Sequence, residues 1–309
     1  MNPSLTWLRR IMPNGVLLCW LTLLFYQPLA ATASTPDTLA KVRQNGELVV
    51  GYYETEIPFS YVDGKGNIVG YSYEMTQKIA RSVQKHLRLE NLKIKPQVLT
   101  LQNRFAMIQN GNIDLECASS THTRQRAQSV GFSTSIFIGS IRIMTHKNSG
   151  IRDVADLADK TVVTKSTATA EQIIAKIKQD KKINFKTMVS IDRTTTPLML
   201  LQTGQADAYL LDDALLVGVI NEAWRPDDWI VTGQAQSFEA YGCMMKKGDA
   251  AFKRVVDQAI IDLMKSGEAE ALYQKWFMAP IPPKGRNLQF PLSSLMKNLF
   301  TRPNDQPFQ

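Results

Sequence analysis

The chain has 309 residues, a formal charge of +8, and is 44% hydrophobic and 21% charged. That is ordinary globular usage with room for two domains, without low-complexity tracts or internal repeats. The basic residues are scattered among acids with no aromatic-interleaved stripe, so the charge does not point to nucleic acid.

Residues 1–33 read as a leader. Arg9 and Arg10 precede an apolar run from Gly15 to Tyr26, and small residues surround Ala31 and Ala33. This is the layout of a secretory signal cleaved near Ala33. The run is short for a membrane span, and no small residue precedes Cys19, so lipidation is not expected. Cleavage removes two arginines and no acids, which lowers the charge from +8 to about +6. In an exported chain the two remaining cysteines, Cys117 and Cys243, either bond to each other or stay as buried thiols.

Strand and helix alternate from there. Glu47–Tyr52 is a predicted strand, Tyr71–His86 a helix with Met75, Ile79 and Val83 on one face, and Leu92–Leu99 a strand. Asn103–Gln109 is a helix closed by Asn110-Gly111, and Ile113–Cys117 a buried strand. A second set follows: strand Thr161–Thr164, helix Ala168–Lys178, strand Lys186–Ser190, helix Thr196–Thr203, strand Ala206–Leu211 and helix Asp213–Ile220. Two such sets predict two α/β lobes with parallel-rich sheets. The extended apolar stretches Ile136–Thr145 and Phe238–Met245 flank the second set and read as two crossover strands between the lobes. Residues 38–138 and 243–280 then form a discontinuous first lobe, which helices Ala250–Lys265 and Ala269–Trp276 pack against. Residues 139–242 form the second lobe with the hinge strands. The proline-rich tail, residues 281–309, is expected to wrap the surface with little regular structure.

The segment Asp114–Ser133 carries the chemistry. A short apolar strand ends in Ser119, Ser120 and Thr121, and Arg124 and Arg126 follow. Strand tips are where α/β sheets hold ligands, and hydroxyls beside a planar guanidinium suit a small carboxylate. His86, His122 and His146 lack metal-ligand spacing and are expected at the surface. No phosphate loop or nucleophile elbow occurs, and neither a metal nor a cofactor is expected.

Three motifs, Ile57-Pro58-Phe59-Ser60-Tyr61, Gly70-Tyr71-Ser72-Tyr73-Glu74 and Asp212-Asp213-Ala214-Leu215-Leu216, resemble the periplasmic amino-acid-binding proteins of ABC importers, solute-binding protein family 3. The glutamate/aspartate subgroup is the most similar, through Gln102-Asn103-Arg104, Glu239-Ala240-Tyr241-Gly242-Cys243-Met244 and Lys275-Trp276-Phe277. The resemblance implies a two-lobed periplasmic receptor, acting as a monomer, that closes on an amino acid and delivers it to an ABC permease. It further implies that Ser119, Thr121, Arg126, Thr169 and Asp212 hold the ligand.

Those residue types fit the task. A free amino acid has a carboxylate and an ammonium, and each needs a partner once water is excluded. Arg126, whose spacing to Phe132-Ser133 matches the family pattern better than that of Arg124, is expected to grip the carboxylate bidentately. Amides near Ala168 and Thr169, at a helix N-terminus, add donors. Asp212, at a strand tip, takes the ammonium with Ser119 and Thr121. Toward the ligand side chain, Arg104 remains of the cations that the subgroup would use. Tyr53 follows Gly51-Tyr52 where the subgroup has an arginine, and Leu101 stands where it has a serine. Tyr53 and Leu101 suit an apolar or neutral polar side chain, Lys165 is a replacement cation for an acidic one, and Phe59 either packs on the ligand or belongs to the core. Two other functions stay open on sequence grounds. One is a dehydratase-like enzyme on the same fold, for which Glu56 or Glu116 is the available acid or base, though neither has a visible orienting partner. The other is the ligand-sensing subunit of a signalling system.

Overall fold

The structure, a computed structural model, describes residues 37–190 and 195–307. The predicted leader and its cleavage position lie outside the described residues.

One nine-stranded sheet organises the chain. In chain order its strands are β1 (Glu47–Tyr52), β2 (Lys93–Val98), β3 (Leu115–Glu116), β4 (Gly131–His146), β5 (Thr161–Lys165), β6 (Lys186–Ser190), β7 (Ala208–Asp212), β8 (Trp229–Thr232) and β9 (Phe238–Met245). Their spatial order is β2-β1-β3-β9-β4-β7-β5-β6, with β8 also on β4. Pairing is parallel for β1 with β2 and β3, and for β5 with β6 and β7. It is antiparallel wherever β4 or β9 takes part.

Strand β4 belongs to both lobes. Its residues 131–140 pair with β9, and its residues from Ile141 onward pair with β7 and β8. Nearly every β4 side chain is buried, which explains why Ile136, Phe137, Ile138, Ile141, Ile143 and Met144 do not alternate with charged residues at every second position: a central strand covered on both faces has no solvent side. The expected crossover strands are therefore β4 and β9, and they lie beside each other. The changeover falls at Ser140 and Ile141, where Asp212 of β7 is paired with Ile141.

Helices cover the faces. On the first lobe these are α1 (Thr38–Asn45), α2 (Tyr71–Leu87), α3 (Arg104–Gln109), α7 (Ala250–Lys265) and α8 (Glu268–Phe277); on the second, α4 (Thr169–Lys181), α5 (Thr195–Gln202) and α6 (Asp213–Glu222). Met75, Ile79 and Val83 of α2 are fully buried, as the helical period requires. Its entry needs Gly70, at φ 130°, because a Cβ there would lie 2.3 Å from the Phe59 carbonyl oxygen. An aromatic cluster fills the first lobe: Phe59, Tyr71, Phe137, Tyr241 and Phe277 meet at centroid distances of 4.9–6.3 Å. The sulfurs of Cys117 and Cys243 are bonded, with Cα atoms 4.2 Å apart, beside the single β3–β9 pair Glu116–Met244.

Three expectations are corrected. The strand expected over Ile113–Cys117 is only Leu115–Glu116, though its residues are buried as predicted. The tail is not irregular: Pro280–Ile281 pairs with Arg286–Asn287, and Ser294–Thr301 forms α9. Ser293 caps that helix by accepting from the Met296 N–H at 3.1 Å, and Met296, Leu299 and Phe300 are buried. His122 is buried, not at the surface; its ring stacks on Phe132 at 4.4 Å, and burial holds its pKa below the ordinary imidazole value.

Candidate ligand-binding site

The ends of the strands from both lobes meet at the changeover. Glu56, Leu101, Arg104, Ser119, Thr121 and Arg126 from the first lobe face Lys165, Ala168, Thr169, Leu211, Asp212 and Leu215 from the second. The space between them is shut down to about 20 Å³, little more than one water needs. An adjoining cavity of about 250 Å³ is lined by Tyr53, Glu56, Leu99, Leu101 and Lys165.

Eight of the ten expected ligand residues lie on the central wall. Tyr53 lies on the adjoining one. Phe59 is fully buried in the aromatic cluster and lines neither cavity.

Arg126 opens a short 3-10 turn, Arg126–Gln128, and its backbone N–H donates to the Thr123 hydroxyl at 3.1 Å. The guanidinium donates to the carbonyl of Thr121 in its own lobe and to that of Thr167 in the other, each at 3.0 Å. Thr167 has φ 62°, a left-handed conformation that is unusual for a β-branched residue. Glu171 helps to hold it, accepting from the Thr167 N–H at 3.0 Å. Burial and the neighbouring Arg104 push the Arg126 pKa down to about 10. Among the described residues, no carboxylate pairs with this guanidinium at close range; two carbonyls stand where a carboxylate would satisfy it better.

Asp212 ends β7 and is buried. The Tyr241 hydroxyl donates to it at 2.7 Å, so one ring of the aromatic cluster fixes an acid of the site. Burial raises the Asp212 pKa to about 8, with the Glu239 charge adding to the effect. Glu239 is itself buried on β9, where it accepts from Thr169 at 2.8 Å and from Ser237 at 2.5 Å. Two buried acids against Arg126 leave this end of the site ready for a cation.

The other end is more heavily paired. Lys165 and Glu56 are both buried and form an ion pair at 3.5 Å across the lobes. Glu56 also accepts from the Ser119 hydroxyl at 2.5 Å. Arg104 is buried near Tyr53, Glu116 and Glu56; burial alone would lower its pKa, but these neighbours raise it. Ser120 donates to Glu116 at 2.9 Å, and Arg104 reaches Ser120 at 3.4 Å. Burial lifts the Glu116 pKa to about 7 against the pull of Arg104. The Tyr53 hydroxyl is buried between Arg104 and Glu116 and interacts with both, so these three polar groups form one cluster at the cavity edge.

Sequence reasoning missed Glu239, and it weighed Glu56 and Glu116 only as catalytic acids. Glu116 had a legible signal, a carboxylate inside a buried apolar strand. Closure also depends on Gly218 of α6: a Cβ there would lie 2.1 Å from the carbonyl oxygen of Ile57 in the opposite lobe. Among the described residues, no group of three or more histidines, cysteines or acids is placed to hold a metal.

Comparison with known proteins gives a family and a fold. Residues 48–279 match the bacterial extracellular solute-binding proteins, family 3. The L-glutamate/L-aspartate-binding protein of Pseudomonas aeruginosa is 41% identical over 96% of this chain and 98% of its own length. The glutamate/aspartate import solute-binding protein of Escherichia coli is 41% identical over 89% of this chain and 91% of its own. Among solved structures, the L-cysteine solute receptor of Neisseria gonorrhoeae superposes with a TM-score of 0.67 at 26% identity, covering 78% of this chain and 93% of that one. An ancestral arginine-binding protein bound to arginine gives a TM-score of 0.66 at 26% identity, covering 75% of this chain and 98% of that one.

Proposed function

The chain belongs to the bacterial extracellular solute-binding proteins of family 3, and from that membership we propose that it captures one free α-amino acid between its lobes and hands it to an ABC permease. The observation that carries the reading is the facing of Arg126 and Asp212. A guanidinium from the first lobe and a carboxylate from the second line one closed space, and they complement the two charges that every free amino acid has. Arg126 takes the α-carboxylate, displacing its contacts to the Thr121 and Thr167 carbonyls. Asp212 and Glu239 take the α-ammonium, with Thr121, Ser119 and Thr169 supplying further oxygens. Since the ligand touches both lobes, it favours the closed state by its differential contacts, and the lobes part about β4 and β9 to admit it.

The chain works as a monomer in the periplasm after cleavage near Ala33, and it binds its ligand without chemical turnover. The names of the 41% identical relatives support a ligand the size of a four- or five-carbon amino acid. Calorimetry and thermal shift of the mature protein against the common amino acids test this reading. Binding of one ligand with a raised melting temperature is expected; no heat and no shift with any of them would sink it.

A further inference from the structure

Resting on the receptor reading, we propose that Glu56 makes the site selective for an amino acid whose side chain ends in a primary carboxamide rather than a carboxylate. With Arg126 and Asp212 assigned to the α-groups, the remaining polar wall is Lys165, Glu56 and Arg104. Lys165 Nζ and Glu56 Oε1 lie 3.5 Å apart and are both buried. A donor and an acceptor therefore stand side by side on that wall. A carboxamide matches the pair group for group: its oxygen accepts from the ammonium, and its NH₂ donates to the carboxylate. A distal carboxylate offers only acceptors, so one of its oxygens must face Glu56. Like charges at that range in a buried site are costly.

The charge pattern points the same way. The Lys165 cation already has Glu56 as its counter-ion, and Arg104 has Glu116 beside it. A second anion would enter beside a lysine that is already paired, and close to the Glu56 charge, whereas a neutral amide leaves the balance unchanged. The Ser119 hydroxyl holds the far oxygen of Glu56 at 2.5 Å, which fixes the acceptor that the amide would meet. A site that hydrogen-bonds one polar group discriminates strongly against an analogue that leaves a partner unsatisfied.

The test is calorimetry at neutral pH of the wild type and Glu56→Gln with L-glutamine, L-asparagine, L-glutamate and L-aspartate. The wild type is expected to bind at least one amide tenfold or more tighter than the matching acid. In Glu56→Gln, where the opposing charge is gone, that ratio should fall at least tenfold toward the acid. An acid that binds the wild type as tightly as its amide overturns the inference, as does a ratio unchanged by the substitution. Should the variant fail to melt cooperatively, the wild-type ratio decides alone. If none of the four binds while another amino acid does, this inference falls and the receptor reading stands; if no amino acid binds, the receptor reading itself falls.

Discussion

The two ends of the cleft handle charge in opposite ways. At the Arg126–Asp212 end the protein leaves itself electrically incomplete: the arginine rests on two carbonyls, and the aspartate is buried with a pKa of about 8. At the Lys165–Arg104 end it has supplied its own counter-ions, Glu56 and Glu116. An incomplete end gains most from a ligand, so affinity should reside there. A compensated end gains little from added charge and selects by hydrogen-bond pattern instead. Affinity and choice are thereby assigned to different residues of one small space.

The most damaging way to probe the division is Asp212→Ala, which strands the ligand ammonium and Arg126 without their anion. A loss of about 3 kcal/mol, a hundredfold or more in Kd by calorimetry, is expected for every amino acid that binds. A change in the order of preference instead would merge the two ends. Arg126→Lys keeps the charge but loses the fork, and about thirtyfold weaker binding across all ligands should follow.

Gly218→Ala sharpens the comparison by acting on closure alone. Alanine favours the helix by about 1 kcal/mol, yet its methyl group meets the Ile57 carbonyl. We expect binding about tenfold weaker with unchanged selectivity, and an increased radius of the liganded protein by small-angle scattering. Equal affinity would mean that the lobes close without that contact.

Proton exchange is a finer readout. In the closed cleft without a ligand, burial and the Glu239 charge raise the Asp212 pKa. A ligand ammonium lowers that pKa, so binding should release up to about one proton at pH 7. Titrations in buffers of different ionisation enthalpy measure it, and uptake instead of release would remove Asp212 from the ammonium site. The smallest effect concerns stability. Asp212 and Glu116, with folded pKa values of about 8 and about 7, bind more protons folded than unfolded. These two groups should therefore lower the stability as pH rises from the unfolded carboxylate range near 4 to about 8, with no further loss above it, read as a falling Tm. The slope should flatten in Asp212→Asn.

Much of this was legible in the sequence, for reasons that differ by element. Strands β4 and β9 were visible because strands buried on both faces are rich in apolar residues, as in Ile136-Phe137-Ile138 and Cys243-Met244-Met245. Arg126 and Asp212 were visible because each sits next to a strand tip with a distinctive neighbourhood. Helix α9 was hidden behind prolines, although Ser293 and the spacing of Met296, Leu299 and Phe300 were a cap and a helical stripe. Glu239 was passed over, and Glu56 was weighed only as a catalytic acid, because acids are unexpected partners in a site that must hold a carboxylate. Their roles depend on what they face across the cleft, which spacing along the chain does not encode. Phe59 lies close in sequence to site residues and yet packs into the core, because chain neighbours need not share a surface.

The bond between Cys117 and Cys243 gives the molecule a topological property. It lies in the first lobe, and the 126-residue stretch it spans contains the entire second lobe and most of both connecting strands. Covalently, the second lobe is a ring hung from one fixed point on the first. Closing a ring of that length removes about 5 kcal/mol of chain entropy from the unfolded state. The ring also confines the damage from any local failure. A second lobe that frays stays anchored at its neck, its two ends still beside each other, and it can reform without searching for its place in the molecule.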